Sequence, residues 1–413
     1  MGLKGAFSLA EFCRPSKPEG RQEPCSKPMA VTRKPPTRGG TTKARSTQRE
    51  VREGSAAPLR ELRVFVVFPS ASRGLGRRRA FVFAAAMFTN PRLFALLAVV
   101  LASASAAPGQ APLPNAKPVP HLQALPQAYE QVSFQRDGLE LARLHFGPGL
   151  NRPFVFPLLG PSGRSVTRMG HPHDPVGHSH HNSVWVSHND VNGWSFWVDR
   201  GTNQGRIVGQ RLEKLEDGDT AAGATIFNHW VDKTGRVLLE ERRRVSVELL
   251  PGNESLLVLD LRFEAKGAPV TFGKTPFGLV GVRLAKTIGI HDGGGTIRNS
   301  EGNVDEQGEN GCFWKRARWC DYSGPVLPEK NEGATLLDHP ANPNHPTVFH
   351  VRSDGWMGSA FTHDAARVIE PGKPLQLRYA VYVHAGVPPR EALQQRWEAF
   401  SKTELPDLSG KKK

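Results

Sequence analysis

The chain has 413 residues, with 54 Lys and Arg against 39 Asp and Glu and a formal net charge of +15. Eighteen of the basic and six of the acidic residues lie in residues 1–86, which leaves 36 basic and 33 acidic residues in the rest. An overall basic charge usually indicates a nucleic-acid partner, but this charge is confined to one terminal stretch, so we expect no nucleic-acid partner.

Residues 1–86 are rich in Pro, Arg, Ser and Gly and show little hydrophobic periodicity. Such a composition buries too little apolar surface to offset its chain entropy. We interpret the segment as a disordered basic leader or as upstream sequence included by a wrong start codon, and we favour the second. Arg78-Arg79 offers a third interpretation, a twin-arginine export signal, which so long a leader disfavours.

Residues 87–106 have the pattern of a secretory signal peptide. A basic residue, Arg92, precedes an apolar run over 93–102, and small residues occupy 104–106. The apolar run is too short to span a membrane. We therefore predict cleavage after Ala106, a periplasmic or extracellular mature chain, and no stable membrane insertion after cleavage.

The remaining chain is predicted to contain a Pro- and Ala-rich linker over 107–127, one domain over 128–404 and a basic tail over 405–413. The domain begins with alternating segments around two turns, Asp137-Gly138 and residues 161–163. Further strands are predicted over 206–214, 224–231, 237–250, 255–264 and 269–284. This spacing predicts an all-β fold with antiparallel sheets in a sandwich or barrel.

One helix is predicted over 388–400, with Leu393, Trp397 and Phe400 on the side that packs on the sheets. The domain holds two cysteines, Cys312 and Cys320. In an exported protein this spacing could close a disulfide, and two free buried thiols are the alternative. The sequence shows no nucleophile elbow, P-loop, dinucleotide fingerprint or His-Glu-x-x-His motif.

Residues 177–197 combine four histidines with three tryptophans. If 179–188 is a strand, His180 and His188 face one way and His181 and Trp185 the other. Two interpretations stay open for the histidines. His178, His180 and His188 could hold copper or another divalent metal, or the imidazoles could line a cleft and transfer protons.

The chain then turns at Asn192-Gly193, next to Asp190, and Trp194 and Trp197 follow. Indole rings beside His and Asp suit the stacking and hydrogen bonding of a sugar ring. The sequence therefore predicts an aromatic wall at this place, with solvated loop histidines as the structural alternative.

Two later stretches carry further candidates. Glu301 lies in a Gly/Asn/Ser loop, and Arg316 could bind a carboxylate or oxyanion in a bidentate manner. Asp338-His339 ends an apolar segment, and His345 follows in a Pro/Asn loop. A histidine beside an aspartate is suited to acid–base chemistry near neutral pH. The alternative for both stretches is a structural loop with salt bridges and capping residues.

These motifs together resemble DUF6807, a family of exported bacterial proteins also labelled "methane oxygenase PmoA". The family pattern His-Pro-His-His-Arg-Ser-Leu-Trp corresponds to residues 178–185, with Ser179 in place of Pro and Asn182 in place of Arg. His-x-Asp-Val-Asn-Gly corresponds to 188–193, Asn-Ser-Glu-Gly to 299–302, Lys-Arg-Ala-x-Trp-x-Asp-Tyr-Ser-Gly to 315–324, and Asp-His-Pro through His-Pro to 338–346. The resemblance spans about residues 130–400.

The resemblance implies a β-supersandwich like that of galactose mutarotase, in which a histidine and a carboxylate exchange protons on a sugar. Our leading hypothesis is an exported carbohydrate-active enzyme of epimerase, hydrolase or lyase type. Its expected catalytic residues are His180, His188, Glu301 and His339. Its expected substrate-binding residues are His181, Trp185, Asp190, Asn192, Arg316, Trp319, Asp321, Asp338 and His345.

Two alternatives stand beside it. The methane-oxygenase label implies a copper redox protein of the membrane, with His178, His180 and His188 as ligands, although the mature chain has no apparent membrane span. The other alternative is a non-catalytic glycan-binding protein that stacks sugar on Trp185, Trp194 and Trp197.

Overall fold

The computed structural model describes residues 117–410. The predicted leader over 1–86 and the predicted signal peptide over 87–106 lie outside the described residues. The same holds for linker residues 107–116 and for the last three residues of the predicted tail.

The described residues form nineteen strands and two α-helices. In chain order they are β1 (Leu122–Gln127), β2 (Gln131–Arg136), β3 (Leu139–His145), β4 (Phe154–Leu158), β5 (Val184–His188), β6 (Arg206–Glu216), β7 (Ala221–Val231), β8 (Val237–Leu249), β9 (Ser255–Ala265), β10 (Val270–Phe272), β11 (Gly278–Arg283), α1 (Ile290–Gly293), β12 (Thr296–Asn299), β13 (Lys315–Ala317), β14 (Trp319–Leu327), β15 (Lys330–Asp338), β16 (Thr347–Arg352), β17 (Trp356–Ala360), β18 (Arg367–Ile369), β19 (Leu375–Ala385) and α2 (Arg390–Ser401).

Two large antiparallel sheets make up the fold. The nine-stranded sheet has the order β1-β2-β3-β4-β5-β11-β17-β16-β13, and the eight-stranded sheet has the order β12-β14-β15-β19-β9-β8-β7-β6. Strands β10 and β18 form a separate pair. Alternate residues of both sheets share one buried apolar cluster, to which Val186 of β5 and Leu259 of β9 belong. The all-β antiparallel sandwich is therefore confirmed.

The C-terminal helix is confirmed as well. Helix α2 begins after Pro389, and its buried Leu393 and Phe400 form a second apolar cluster with Trp319 and Tyr382 of the eight-stranded sheet. Trp397 packs against the same cluster. None of the helices in residues 117–410 is long and apolar enough to cross a membrane.

The first predicted hairpin is confirmed, because β2 and β3 pair around Asp137-Gly138. The predicted linker extends too far, since residues 122–127 form β1 and bury Leu122 in the core. The strand predicted over 269–284 is two strands, β10 and β11, which join different sheets. In the second predicted hairpin, the segment after the turn at 161–163 forms only isolated β-bridges.

The strand predicted over 179–188 begins only at Val184, after a stretch of turns. Within β5 the side chains alternate between the two faces as predicted, but His180 lies before the strand begins. Cys312 and Cys320 are both buried and both free thiols, so the structure contains the second of the two predicted arrangements.

Candidate functional site

A cavity of about 530 Å³ lies on the outer face of the nine-stranded sheet. Strands β16 and β17 contribute His350, Arg352 and Trp356 to its lining, and Trp185 of β5 packs behind them. These strands belong to the run β5-β11-β17-β16 of that sheet. Their alternate residues point into the core, so the same strands carry apolar core residues on one face and site residues on the other. The lining residues are His178, His180, His181, Asn189, Trp197, Val198, Phe277, His350, Arg352, Asp354 and Trp356.

Two glycines make room for the aromatic floor. Gly281 of β11 is the register partner of Trp185 on one side and of Gly358 on the other, and Gly358 pairs with His350. A Cβ on Gly281 would lie 2.5 Å from the Trp185 ring. The indole can therefore lie across the neighbouring strand only because this position has no side chain.

Three tryptophans, Trp185, Trp197 and Trp356, form an aromatic cluster separate from the main core. The His181 ring stacks on two of them, with centroids 5.4 Å from Trp185 and 5.7 Å from Trp356. The indole nitrogens of Trp185 and Trp356 and the Nδ1 of His181 are buried, yet they have no hydrogen-bond partner within residues 117–410. Buried polar groups are usually paired, so these three groups are exceptions among the described residues.

Three buried histidines of the cavity, His180, His181 and His350, are held neutral. Burial lowers the pKa of His180 to about 4, with a further contribution from the Arg152 charge. Burial also lowers the pKa of His350 to about 3, with Arg352 acting in the same direction. The pKa of His181 is lowered even further, mainly by burial and then by His180. At neutral pH these imidazoles are proton acceptors and hydrogen-bonding groups, not cations.

One end of the cavity carries the charged groups. Asp354 accepts a hydrogen bond of 2.8 Å from the buried guanidinium of Arg283. Burial alone would raise the pKa of Asp354, but the charge of Arg283 and the neighbouring His171 lower it overall. The His171 Nδ1 accepts from the backbone N–H of His173 and Asp174, so its Nε2 carries the proton and faces Asp354 at 3.2 Å.

A buried arginine joins the two loops that cover the site. Arg152 is only 1% exposed and donates to the carbonyls of His180 and Trp197 and to the Asp199 carboxylate. It also donates to Asn182 Oδ1 at 2.6 Å. Asn182, which departs from the family pattern, therefore helps to hold this arginine inside the wall of the site.

Of the residues predicted from the sequence, the structure brings His178, His180, His181 and Trp185 together at this site, with Trp197 beside them. Trp194 packs against the main core instead. Asp190 and Asn192 hold a turn. Asp190 accepts from the Gly193 N–H, and Asn192 Oδ1 accepts from the Thr271 N–H.

The three histidines proposed as metal ligands are not brought together. His188 points into the core from the opposite face of β5, where its Nε2 bonds to Thr362 Oγ1 at 2.7 Å. No group of three or more His, Cys, Asp or Glu side chains within residues 117–410 is arranged to hold a metal ion. The described residues therefore do not fit the copper site that the methane-oxygenase label implies.

The other predicted residues lie outside the lining of this cavity. Asp321 is fully buried and bonds to His384, Arg298, Ser323 and Thr335. Trp319 packs under helix α2 and donates to Gln394. Asp321 therefore joins strands of the eight-stranded sheet, and Trp319 joins that sheet to helix α2.

Three of the predicted site residues lie at the end of β15 or in the loop after it: Asp338, His339 and His345. The Asp338 carboxylate accepts from His345 Nδ1 at 2.7 Å, and the His345 ring stacks on Trp397. His339 bonds to the Thr403 carbonyl at 3.1 Å. These contacts position helix α2 and the chain that follows it.

Glu301 and Arg316 are both substantially exposed. Glu301 accepts from Ser300 Oγ at 2.8 Å and lies 3.5 Å from the Arg318 guanidinium. Arg316 donates to the carbonyls of Asn344 and Pro346 and pairs with Asp364. Neither lines the cavity.

The sequence analysis missed His350, Asp354, Trp356 and Arg283. The first three lie in or next to strands β16 and β17, shortly after His339 and His345, which were predicted. Their signal is the alternation of β16, which places His350 and Arg352 on the face opposite Phe349 and Val351. Arg283 is a charged residue at the end of an apolar strand, which is a weaker signal.

The sequence model of a family of unknown function, DUF6807, matches residues 131–398, about two thirds of the chain. The chain belongs to the DUF6807 family. The match covers both the segment that carries the site histidines and the segment that carries His350 and Trp356. No curated protein sequence matches the chain.

Among solved structures, similarity is found to a protein named as a kojibiose phosphorylase from the human microbiome, at 11% identity and a TM-score of 0.27 over 53% of this chain. This chain covers only 26% of that protein. A GalM/aldose epimerase homologue from C. elegans matches 60% of this chain and 96% of its own, at 8% identity and a TM-score of 0.26. A 4-alpha-glucanotransferase from Thermococcus litoralis matches 65% of this chain and 40% of its own, at 11% identity and a TM-score of 0.23. TM-scores at this level carry no argument about activity.

Proposed function

We propose that this protein binds a carbohydrate or sugar derivative on the tryptophan floor and transfers a proton with a neutral imidazole. The observation that carries the proposal is the combination, in one cavity, of the indole rings of Trp197 and Trp356 with His180 and His350, which burial holds neutral. Aromatic faces bind the apolar faces of sugars, and neutral imidazoles form hydrogen bonds with their hydroxyls.

His180 and His350 are the proposed proton-transfer residues. Both line the cavity and are unprotonated at neutral pH, so each offers a ring nitrogen to a proton of the ligand. Their low pKa values make them weak bases, so the proton that they take must be acidified by an adjacent carbonyl. The proposal keeps His180 from the sequence prediction and adds His350. Asp354 is the proposed orienting group, because its carboxylate is held by Arg283 and His171.

The arrangement favours epimerase or lyase chemistry over glycoside hydrolysis. Most glycoside hydrolases use two carboxylates on either side of the bond that they cleave. Among the described residues that line this cavity, Asp354 is the only carboxylate. Abstraction of a proton next to a carbonyl needs only a base and a group that stabilises the resulting oxyanion, and Arg352 lines the cavity and can serve in the second role.

The test is proton exchange by the purified protein in D2O. We expect deuterium to enter the carbon next to the carbonyl of at least one keto-sugar or uronic acid in a defined panel, observed by NMR. His350→Gln and His180→Gln are expected to slow this exchange by about 10²–10⁴-fold. His229→Gln, on β7 of the other sheet, is the matched control and is expected to leave it unchanged.

The outcomes separate the alternatives. Binding measured by calorimetry without exchange would replace the proposal by a non-catalytic glycan-binding function. If no member of the panel shows binding or exchange, the proton-transfer function and the glycan-binding function are both overturned. Exchange that survives in the two histidine variants would overturn the assigned roles.

A further inference from the structure

An aromatic pair lies next to His350 of the site, with Trp314 exposed and Phe313 partly buried against the core. Trp314, which directly precedes β13, is 48% exposed, whereas the site tryptophans are buried. Phe313 stacks on it, with ring centroids 4.6 Å apart and an interplanar angle of 22°. We call Phe313 and Trp314 the rim platform.

The rim platform is continuous with the floor of the site. The centroid of the His350 ring lies 4.1 Å from that of Trp356, 5.0 Å from that of Phe313 and 6.1 Å from that of Trp314. A single imidazole therefore neighbours both the buried indole of the floor and the exposed indole of the platform. A ligand bound over His350 would have both rings within reach.

The rim platform is held in place. Glu306, in the same loop, pairs with Arg352 at 2.9 Å and accepts from the Ser353 N–H at 2.6 Å. The backbone N–H of Trp314 donates to the Phe349 carbonyl at 2.9 Å, and the Arg352 guanidinium lies over the Phe313 ring. A surface fixed in this way loses little conformational entropy when a ligand binds.

The backbone of Trp314 has a φ of 56°, in the left-handed region that a bulky residue rarely adopts. Glycine or asparagine would fit this conformation better. Residues in this region occur often at ligand-binding sites.

We infer that the site extends over His350 onto the rim platform, and that its ligand is an oligosaccharide, or the end of a longer glycan, with a second sugar unit stacked on Trp314. This inference rests on the proposed function, because it assumes that the floor binds a sugar. It adds a second subsite and defines the ligand by its chain length.

The experiment is a calorimetric titration with sugars of one to four units, using glucose, galactose and galacturonic acid and their linear oligomers. For the series that binds, we expect the dimer or trimer to bind at least about tenfold more tightly than the monomer, a difference of about 1.4 kcal/mol. In Trp314→Ala the monomer is expected to bind within twofold of the wild type, while the gain with length disappears. Trp314→Phe is expected to keep part of the gain.

The matched control is Tyr129→Ala. Tyr129 is also an exposed aromatic residue with a positive φ, but it lies in the β1–β2 turn, at the opposite edge of the nine-stranded sheet from β13. A length-dependent gain that persists in Trp314→Ala, or that is lost in the control, would overturn the inference. A wild type that binds monomers without any gain with length would also overturn it and leave the proposed function intact. Failure of every sugar of every length would instead overturn the proposed function, and the inference with it.

Discussion

His188 shows how burial fixes the protonation state of an imidazole. Its Nδ1 accepts from the Asp190 N–H, so the proton is on Nε2 and is donated to Thr362 Oγ1. Burial lowers the pKa of His188 to about 3, which outweighs the opposite effect of the Asp190 backbone. In this chain His188 is therefore a structural residue of the core, although its position next to the other histidines suggests a ligand or a base.

This shift predicts a pH dependence of stability. The folded pKa of His188 lies below its unfolded value of 6.5, so the unfolded chain binds a proton that the folded chain excludes as the pH falls below 6.5. The stability is therefore complete above pH 6.5 and is lost between pH 6.5 and about 3, by up to about 1.4 kcal/mol per pH unit for one proton. In His188→Gln we expect the free energy of unfolding in urea to fall less steeply between pH 6 and 4. Parallel curves for variant and wild type would contradict this assignment.

Gly281 is the second position where one residue decides the shape of the site. Because its missing side chain makes room for the Trp185 ring, Gly281→Ala is expected to displace the indole. We expect a loss of about 1–3 kcal/mol in the free energy of unfolding and weaker sugar binding. Gly149→Ala is the control, since a Cβ there would have no neighbour within 4 Å, and its effect should stay within about 0.5 kcal/mol. Equal effects of the two substitutions would refute the role of Gly281.

At the scale of elements, the loops that cover the floor are held by Arg152. Arg152→Met removes the donors to the His180 and Trp197 carbonyls and leaves Asp199 without its buried partner. We expect a loss of about 3–5 kcal/mol in the free energy of unfolding, measured in urea. Sugar binding by the fraction that stays folded is also expected to weaken, because both covering loops lose their anchor.

The matched control is Arg236→Met, because Arg236 pairs with Asp232 but its side chain is 66% exposed. An exposed ion pair contributes at most about 1 kcal/mol. A cost for Arg152→Met as small as that of the control would show that the loops are held by other contacts.

The elements differ in how much of them the sequence predicts. The β2–β3 hairpin and helix α2 are predictable because local signals, Asp137-Gly138 and Pro388-Pro389, mark their ends. The residues before β5 alternate like a strand but form turns, because Arg152, which is distant in sequence, binds the His180 carbonyl. Such a long-range contact leaves no periodic signal, and so the predicted common face of His180 and His188 is wrong.

The candidate site is only partly predictable for the same reason. The histidine and tryptophan content of 177–197 indicates a cleft, and His178, His180 and His181 do line one. His350 and Trp356 come from strands more than 150 residues away, which meet β5 only through β11. Because neither pairing order nor sheet neighbours follow from one sequence, the second half of the site emerges only from the fold.

At the scale of the whole molecule, export remains a prediction. We expect the protein from its native host to begin at Ala107 and to occur in the periplasmic or extracellular fraction, because small residues at 104–106 follow the apolar run. Mass spectrometry of the intact protein from each fraction measures this. Leu96→Arg, which interrupts the apolar run, is expected to leave an uncleaved precursor in the cytoplasm. An unprocessed wild-type chain in the cytoplasm would contradict the prediction.

The two-faced strands beneath the site also constrain how its specificity can change. Trp185 and His350 each lie between two core residues of their strand, so a new side chain that shifts the strand also disturbs the packing between the sheets. The half-exposed indole of Trp314 lies outside the strands and can be altered without this penalty. A library built for ligands of other lengths should therefore diversify position 314 and leave the strands and His180 untouched.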